Sequence, residues 1–483
     1  MEWIITIVYL LSLLYLFVFS LGQLHLTHIY LKRKKQEPAA AASGFEPVVT
    51  IQLPIYNEKY VVERLIDAVV RIEYPREKLE IQILDDSTDE TSGIIYQKLE
   101  WLHRFGHDIK HIRRENRKGF KAGALQEGLQ TARGEFIVIF DSDFIPDADF
   151  LRKTLPEFVD PKVGVVQTRW GHINKDYSLI TQLQAFGLDA HFSVEQSARN
   201  AAGSFINFNG TCGVWRKGCI IDSGGWSADT LTEDLDLSYR AQLRGWKFRY
   251  LENVVTPGEL PVLMPVIKLQ QYRWNKGGAE TARKLIGKVM RSDLSGRQKI
   301  HAFLHLFNSS VFVALFLAAV LSIPMLLIKN HHTAIPFLFK LGGIFFLGFL
   351  GVAFFYWTAV QRFYTKAKRR FLILFPAFLI ISMGLSLHNG LAVLEGWLGI
   401  KSPFKRTPKF NIVRKKDPWL DNAYLNSNLN VITVLEGLLA VCFIFTIVRG
   451  VQMNDTSLVV FHFMLALGFG TVSLLSIKPW ANA

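Results

Sequence analysis

Five apolar runs dictate what this chain can become. Trp3–Leu31 exceeds the roughly 20 residues needed to cross hydrocarbon as a helix, and Phe303–Ile328, Leu341–Val360, Val431–Val448 and Leu458–Ile477 are each near that length. Between the first and the second lies a stretch, about 46 to 262, with the mixed texture of a water-soluble domain. A chain of 483 residues exceeds one ordinary domain, and the pattern predicts a soluble domain inserted between membrane helices. Trp3–Leu31 is too long for a signal-peptide core and has no small-residue cleavage site before "KRKK", so it reads as a permanent span.

The formal net charge is +14. Such an excess suits nucleic acid or a membrane surface; here the densest cations flank apolar runs, which points to the lipid bilayer and away from nucleic acid. Lys32, Arg33, Lys34 and Lys35 put the end of the first span in the cytoplasm, so the 46–300 region is cytoplasmic by the positive-inside rule. The next two spans go out and back, bringing "QRFYTKAKRR" (361–370) inside, and the equally basic "KSPFKRTPKFNIVRKK" (401–416) belongs inside too. Phe371–Ile400 is therefore flanked inside at both ends, and Pro376, Gly384, "HNG" (388–390) and Glu395 interrupt it. It is expected to be interfacial or re-entrant, because a sixth crossing would export seven cations. The expected organisation is a membrane helix over 1–31, the soluble domain over 46–262 and interfacial amphipathic helices over 263–300. Two membrane helices follow over 301–360, then the interfacial element and its loop over 371–420, and two more membrane helices over 431–477.

Cys212, Cys219 and Cys442 are the three cysteines, none paired at metal-ligand spacing, which fits a reducing cytosolic face and argues against a disulfide framework or a zinc site. Within the soluble region, "PVVTIQLPIYNE" reads as a buried strand, Val48 to Leu53, ending in a polar turn and followed by a helical pattern to about Ile72. "LEIQILDDSTDET" is a second strand running into Asp85 and Asp86, and "GEFIVIFDSDF" another running into Asp141 and Asp143. Strands alternating with helices imply a mostly parallel sheet covered by helices, whose ligands bind at the carboxyl ends of the strands. Both carboxylate pairs lie at strand ends. Asp-Asp-Ser before a helix also reads as an N-cap. "DSD" directly behind a buried strand is costly unless paired or bound to a cation, and two such carboxylates can hold Mg²⁺ together with substrate phosphates. "GFKAGAL" (119–125) offers a turn and helix start beside Lys121, and "TEDLDLSYR" (232–240) puts Glu233 and Asp234 at a helix start.

In this order, Asp85-Asp86, "DSD", "TED" and Gln270-x-x-Arg273-Trp274 resemble the D, DxD, TED and QxxRW motifs of family 2 glycosyltransferases of the cellulose synthase superfamily. The wording is closest to cellulose-synthase-like mannan and glucan synthases: "LDDSTDE", "RENRKGFKAGAL", "VQTRWGHIN", "FNGTCGVWR", "GGW" and "SLH". The resemblance covers roughly residues 46 to 420 and implies an α/β domain of the glycosyltransferase A type, a mostly parallel sheet with helices on both faces. The chain lacks the large insertions of plant cellulose synthases and the regulatory domain of the bacterial enzyme, so control by a cyclic dinucleotide is not implied.

The resemblance assigns each residue a part in an inverting, β-forming transfer from a nucleotide sugar. Asp234 is the general base. Asp85 and Asp86 serve the nucleoside, Lys121 the phosphates, and Asp143, with Asp141 supporting, the diphosphate and a Mg²⁺ or Mn²⁺ ion. Gln270 and Arg273 face the donor. Arg273 is a planar cation suited to a diphosphate, and Trp274 a flat face for a sugar ring. Asn209, Gly210 and Glu233 complete the acceptor side. "SPFKRTPKF" (402–410) resembles the FxVTxK gating loop at Phe404, Thr407 and Lys409, with Arg406 where that pattern has Val; a positive-inside anchor is its plainer reading.

Three functions compete. One is a processive synthase, the growing polysaccharide its acceptor, extending a β-glucan or β-mannan from UDP-glucose or GDP-mannose. Another is a non-processive transferase acting on a lipid or small acceptor, as ceramide glucosyltransferases do. The third is a nucleotide-sugar binding protein without catalysis, against which Asp234, Asp143 and Arg273 argue. The compact chain points to a bacterial inner membrane, or to the Golgi in a eukaryote.

Overall fold

Seven strands assemble in the order β3-β2-β1-β4-β6-β5-β7 in the computed structural model, which describes residues 1–33, 44–329, 345–414, 417 and 430–481. Lys34, Lys35, Lys415, Lys416 and the first four residues of the span expected from Leu341 lie outside the described residues. The strands are β1 (Val49–Ile55), β2 (Leu79–Asp85), β3 (Ile109–Arg113), β4 (Phe136–Ile139), β5 (Val163–His172), β6 (Gly213–Arg216) and β7 (Lys247–Gly258). β1 runs parallel to β2 and β4, β2 to β3, and β5 to β7; β6 alone is antiparallel to its neighbours, β4 and β5.

Alternation along the strands supplies two cores, since successive side chains point to opposite faces. Val49, Ile51, Leu53, Ile81, Ile83, Phe136 and Val138 pack on one face. They meet Val62, Leu65 and Val69 and then Ile95, Leu99 and Leu102, from the helices that we label, after the N-terminal α1 (Glu2–Lys32), α2 (Val62–Val69) and α3 (Thr91–His103). The other face carries Leu84, Ile137, Ile139 and Trp215 against Ala122, Leu125, Leu129, Leu237 and Ala241. Each fully buried aliphatic side chain contributes about 1.5–3 kcal/mol, so the doubly covered strands read as near-continuous apolar runs. The helices on this second side include α4 (Phe120–Thr131) and, after α5 (Phe150–Thr154), α6 (Leu179–Ala190), α7 (Gln196–Ala201) and α8 (Lys217–Asp222), α9 (Glu233–Leu243).

The remaining helices among the described residues are α10 (Met264–Arg291), α11 (Gly296–Leu306), α12 (Val311–Ile328), α13 (Phe345–Phe363), α14 (Ala367–Gly384), α15 (Ser386–Leu398), α16 (Val431–Gln452) and α17 (Val459–Ala481). Among the described residues, five segments, Glu2–Lys32, Asn308–Ile328, Phe345–Phe363, Val431–Gln452 and Val459–Ile477, are helices long and apolar enough to cross a membrane. The expected span Phe303–Ile328 needs correction. Its first residues belong to α11, which stops at Leu306, and Asn308–Ser310 makes a separate 3₁₀ turn before α12. Three consecutive small polar residues there compete with the helix for backbone hydrogen bonds.

Phe371–Ile400 forms α14 and α15, bent by 53° at the break between them. Pro376 sits inside α14 without breaking it, and the bend falls after Gly384. A Cβ at Gly384 would lie 2.2 Å from the carbonyl oxygen of Gly468 on α17, so small residues let these helices touch, as membrane helix pairs do. α15 packs along α10. Two polar knots tie the layers together. Glu252 of β7 accepts from Tyr30 at 3.1 Å and Arg362 at 3.3 Å and pairs with Arg33, holding the ends of α1 and α13 to the sheet. Lys268 of α10 meets the buried Glu436 of α16 at 2.6 Å.

Candidate active site

The carboxyl ends of the central strands open towards α10, and almost every expected site residue meets there. One cavity is bordered by Lys121, Asp141, Asp143, Asn209, Gly210, Glu233, Asp234, Gln270, Arg273, Trp274, Phe404 and Lys409. A second adjoins it, sharing Lys121, Asp141, Asp143, Arg273, Phe404 and Lys409 and adding Asp86 and Thr407. Asp85 is the exception. It is buried, accepting from Ser87 N at 2.8 Å, Ser92 Oγ at 2.6 Å and His111 Nε2 at 2.9 Å. Burial would raise its pKa, but the bonds from His111, Ser92 and Ser87 hold it down to about 2. It braces the turn behind the cleft, whereas Asp86 lines the cavity, where Arg114 Nε grips it at 2.8 Å.

Lys121 Nζ donates to Asp141 Oδ1 at 2.6 Å and to the Gly210 carbonyl at 2.8 Å, and lies 3.9 Å from Glu233. Burial works against its charge, yet Asp141 and Glu233 keep its pKa above the usual lysine value. Asp234 lies opposite. Burial first, then the neighbouring Glu233 carboxylate, push it well above the usual carboxylate range, against the pull of Lys121. Gly210 makes this approach possible. Its φ is +79°, and an added Cβ would stand 3.1 Å from Asp234 Oδ2, in a conformation that favours glycine. Asn209 is oriented by Gln167, whose Oε1 accepts its N–H at 2.9 Å, and by His191, at 3.4 Å, from a π-helical turn over His191–Glu195. Such turns recur at functional sites.

Gln270, Arg273 and Trp274 fall at i, i+3 and i+4 on α10 and so share one face. The Arg273 guanidinium lies 5.2 Å from the Phe404 ring centroid, and Phe404 stacks on Phe120 at 5.4 Å. The loop carrying Phe404 covers the cleft. Lys409 Nζ is 2.7 Å from Asp143 Oδ2, and Arg406 pairs with Glu58 at 2.7 Å. Phe410 N donates to Glu259 at 2.9 Å, and Asn411 accepts from Arg64 at 2.6 Å. Beneath the loop, Thr407 Oγ1 and Asp143 Oδ1 are buried with no hydrogen-bond partner among the described residues. Covered in this way, the two cavities measure about 110 and 90 Å³, below the roughly 300 Å³ of ordinary ligand pockets. The loop narrows the cleft.

Glu58, Arg117, Trp170 and Glu259 also line it and escaped sequence reasoning. Glu58 belongs to the polar turn after β1 and Trp170 to "VQTRWGHIN", so both stood in stretches already singled out. Burial holds Glu58 up to about 7, with Arg406 and Lys409 pulling it down. A hard cation fits the carboxylates: Asp143 presents an orphaned oxygen, and an aspartate-only donor set suits Mg²⁺ or Mn²⁺. No group of three or more His, Cys, Asp or Glu side chains is poised to hold a metal among the described residues, so the remaining ligands would come from the substrate diphosphate.

Residues 47–277 match the family described as glycosyltransferase like family 2, and this stretch spans the sheet, the strand-end carboxylates and the Gln270–Trp274 cluster. The chain carries a family 2 glycosyltransferase domain. Its similar proteins include glucomannan 4-beta-mannosyltransferase 2 of Arabidopsis thaliana, 42% identical over 275 residues, 54% of this chain and 51% of that one. Glucomannan 4-beta-mannosyltransferase 1 of Oryza sativa subsp. japonica is 41% identical over 278 residues, 56% and 53% of the two chains. The matched stretch thus spans about half the length of these curated relatives. Being plant proteins, they lend the expectation of a bacterial membrane no support. A mannosyltransferase from Pyrobaculum calidifontis, solved in complex with GDP-Man and Mn²⁺, superposes with a TM-score of 0.57 at 19% identity, over 82% of this chain and 100% of that one. That likeness is one of fold, and the family 2 domain has the glycosyltransferase A-type architecture.

Proposed function

We propose that this chain is a multi-pass membrane glycosyltransferase that polymerises hexosyl units, mannose foremost, from a nucleoside diphosphate sugar into a β-linked polysaccharide and passes it between its spans. The observation carrying this reading is the continuation of the cleft. Gln270 and Trp274 line both the catalytic cavity and a further one of about 290 Å³ among α1, α6, α10, α13 and α14. Polar and aromatic groups line that second cavity, including Gln23, His191, Gln271, Tyr356 and Asn389. An acceptor lying there would present its terminal hydroxyl beside Asp234.

In the reaction, the acceptor oxygen attacks the anomeric carbon of the donor sugar. The bond from that carbon to the diphosphate breaks, the hydroxyl proton passes to Asp234, and the nucleoside diphosphate leaves. Inversion of an α-linked donor yields the β-linkage. Lys121 and Arg273 neutralise charge on the leaving group, work worth most where water is excluded. Asp86 and Arg117 border the nucleoside end, and Trp274 supports the acceptor ring. A divalent cation held by Asp141 and Asp143 would add Lewis-acid stabilisation of the diphosphate. The loop over 402–410 acts as a lid, Thr407 and Lys409 turning to the phosphates once donor is bound. The soluble domain faces the cytoplasm, with α14 and α15 a re-entrant pair and five spans in all. Mannose is favoured by the names of the relatives.

The test supplies purified full-length protein with labelled GDP-mannose, UDP-glucose or UDP-N-acetylglucosamine. GDP-mannose should give an alkali-resistant polymer that β-mannanase degrades. A product carrying a single added sugar, extracted with lipid, would overturn processive synthesis in favour of transfer to a lipid.

A further inference from the structure

Beside the acceptor cavity lies a larger one, about 670 Å³, between the first membrane helix and α11, for which the proposed reaction has no use. Its walls are apolar: Phe19, Leu21 and Leu26 of α1, Ile300 and Leu304 of α11, and Phe355 of α13. Along α1 the lining runs from Val18 to Leu26, about 12 Å of helix at 1.5 Å per residue. It stops six residues short of Lys32, where α1 ends, so the slot lies at the depth of lipid acyl chains. Leu21 and Ile300 at its edge are 44% and 61% exposed, which puts apolar surface where the bilayer would be.

One end of the slot is cationic. Arg297 and Lys299, from the start of α11, line it, and neither has a carboxylate partner among the described residues. Arg297 donates to the Ala202 carbonyl at 3.2 Å and keeps its other guanidinium N–H groups. His301, one turn on, also lines the cavity and is only 4% exposed. Its Nδ1 bonds Ser204 Oγ at 2.8 Å, while Nε2 has no hydrogen-bond partner among the described residues. Arg199, the other cation in the lining, is already engaged by Glu195 at 3.1 Å and the His301 carbonyl at 2.9 Å. An apolar slot open to the bilayer, two cations at its interfacial end and an orphaned buried nitrogen together describe an amphiphile with an anionic head.

We propose that this cavity binds one anionic phospholipid, its acyl chain between α1 and α11 and its phosphate on Arg297, Lys299 and the His301 Nε2–H. The site depends on the chain lying in a bilayer and not on which sugar it transfers. Gln23, Glu195, Asn308 and Phe355 line both this cavity and the acceptor cavity, so the bound lipid closes the side wall of the acceptor path.

Full-length protein in mild detergent is tested by thermal shift and native mass spectrometry with phosphatidylglycerol, phosphatidylcholine or inorganic phosphate. Phosphatidylglycerol should raise the melting temperature and remain bound one-to-one, while the other two do neither. Each juxtamembrane cation contributes about fivefold in affinity for an anionic lipid, so R297Q/K299Q should weaken binding on the order of 25-fold. Ile300→Trp, which fills the slot and leaves the cations in place, should also abolish retention. Equal stabilisation by phosphatidylcholine, or a response to inorganic phosphate matching phosphatidylglycerol, would overturn the proposal. So would phosphatidylglycerol binding unchanged in both variants.

Discussion

Lys409 Nζ stands 2.7 Å from Asp143 Oδ2, joining a loop that precedes the fourth candidate span to the carboxylate behind β4. The ammonium neutralises Asp143 while the loop covers the cleft, so a cation and Lys409 compete for one carboxylate. Lys409→Ala should therefore tighten Mn²⁺ binding to donor-free enzyme, measured by titration calorimetry, and at the same time lower turnover. Thr407→Ala should lower turnover without changing Mn²⁺ affinity, and Lys401→Ala should change neither. Equal, mild effects at all three positions would make the loop a membrane anchor.

Replacing Asp234 with Asn keeps its shape and removes the proton acceptor. Turnover should fall about 10²–10⁴-fold, with nucleotide diphosphate binding by calorimetry unchanged. Asp234 works only when ionised, and its pKa is raised to about 7 by burial and Glu233. The acid limb of kcat/KM in the wild type should therefore fall as pH drops through about 7, not through the ordinary carboxylate range. A profile flat from pH 8 to about pH 5 would remove Asp234 from the base role.

A chelator should abolish transfer, and Mg²⁺ or Mn²⁺ should restore it. Asp143→Ala should respond to neither ion at ordinary concentrations. Full activity in chelator would reduce the "DSD" pair to a structural partner of Lys121 and Lys409.

Arg406 answers Glu58 across the closed loop at 2.7 Å, with both side chains largely buried. Breaking one member of such a pair leaves the other charge stranded, which costs about 3–5 kcal/mol in a fully buried setting and less at this rim. Glu58→Ala should loosen the loop, read as faster proteolysis within 401–414. Adding Arg406→Val should restore protection by removing the stranded cation. If the double variant is cut as fast as Glu58→Ala, the two side chains are not coupled.

A reporter fused after Lys416 should register as cytoplasmic and one in the 450–456 loop as external. An external signal after Lys416 would mean that α14 and α15 together cross the membrane, giving six spans.

Much of this arrangement was legible beforehand because it is local. Runs near twenty apolar residues, a buried strand ending in carboxylates, and Gln270, Arg273 and Trp274 at helical spacing are statements about neighbours in the chain. The hydrophobic effect and backbone periodicity act on neighbours directly. Asp85 and Asp86 mark where that reach ends. They are adjacent at one strand end, and adjacent residues on a strand point to opposite faces. Which of them meets the cleft depends on where His111 and Ser92 pack. The partnership of Arg406 with Glu58 and the side-by-side cavities along α1 have no sequence signature, because the groups involved converge from separate elements. The sequence by itself determined a soluble α/β domain among membrane helices and the strand ends that carry its chemistry. Only tertiary packing decided which carboxylates face the cleft, which cations cover them and where the cavities run, since burial and Coulomb attraction act between groups that folding alone brings within a few ångströms.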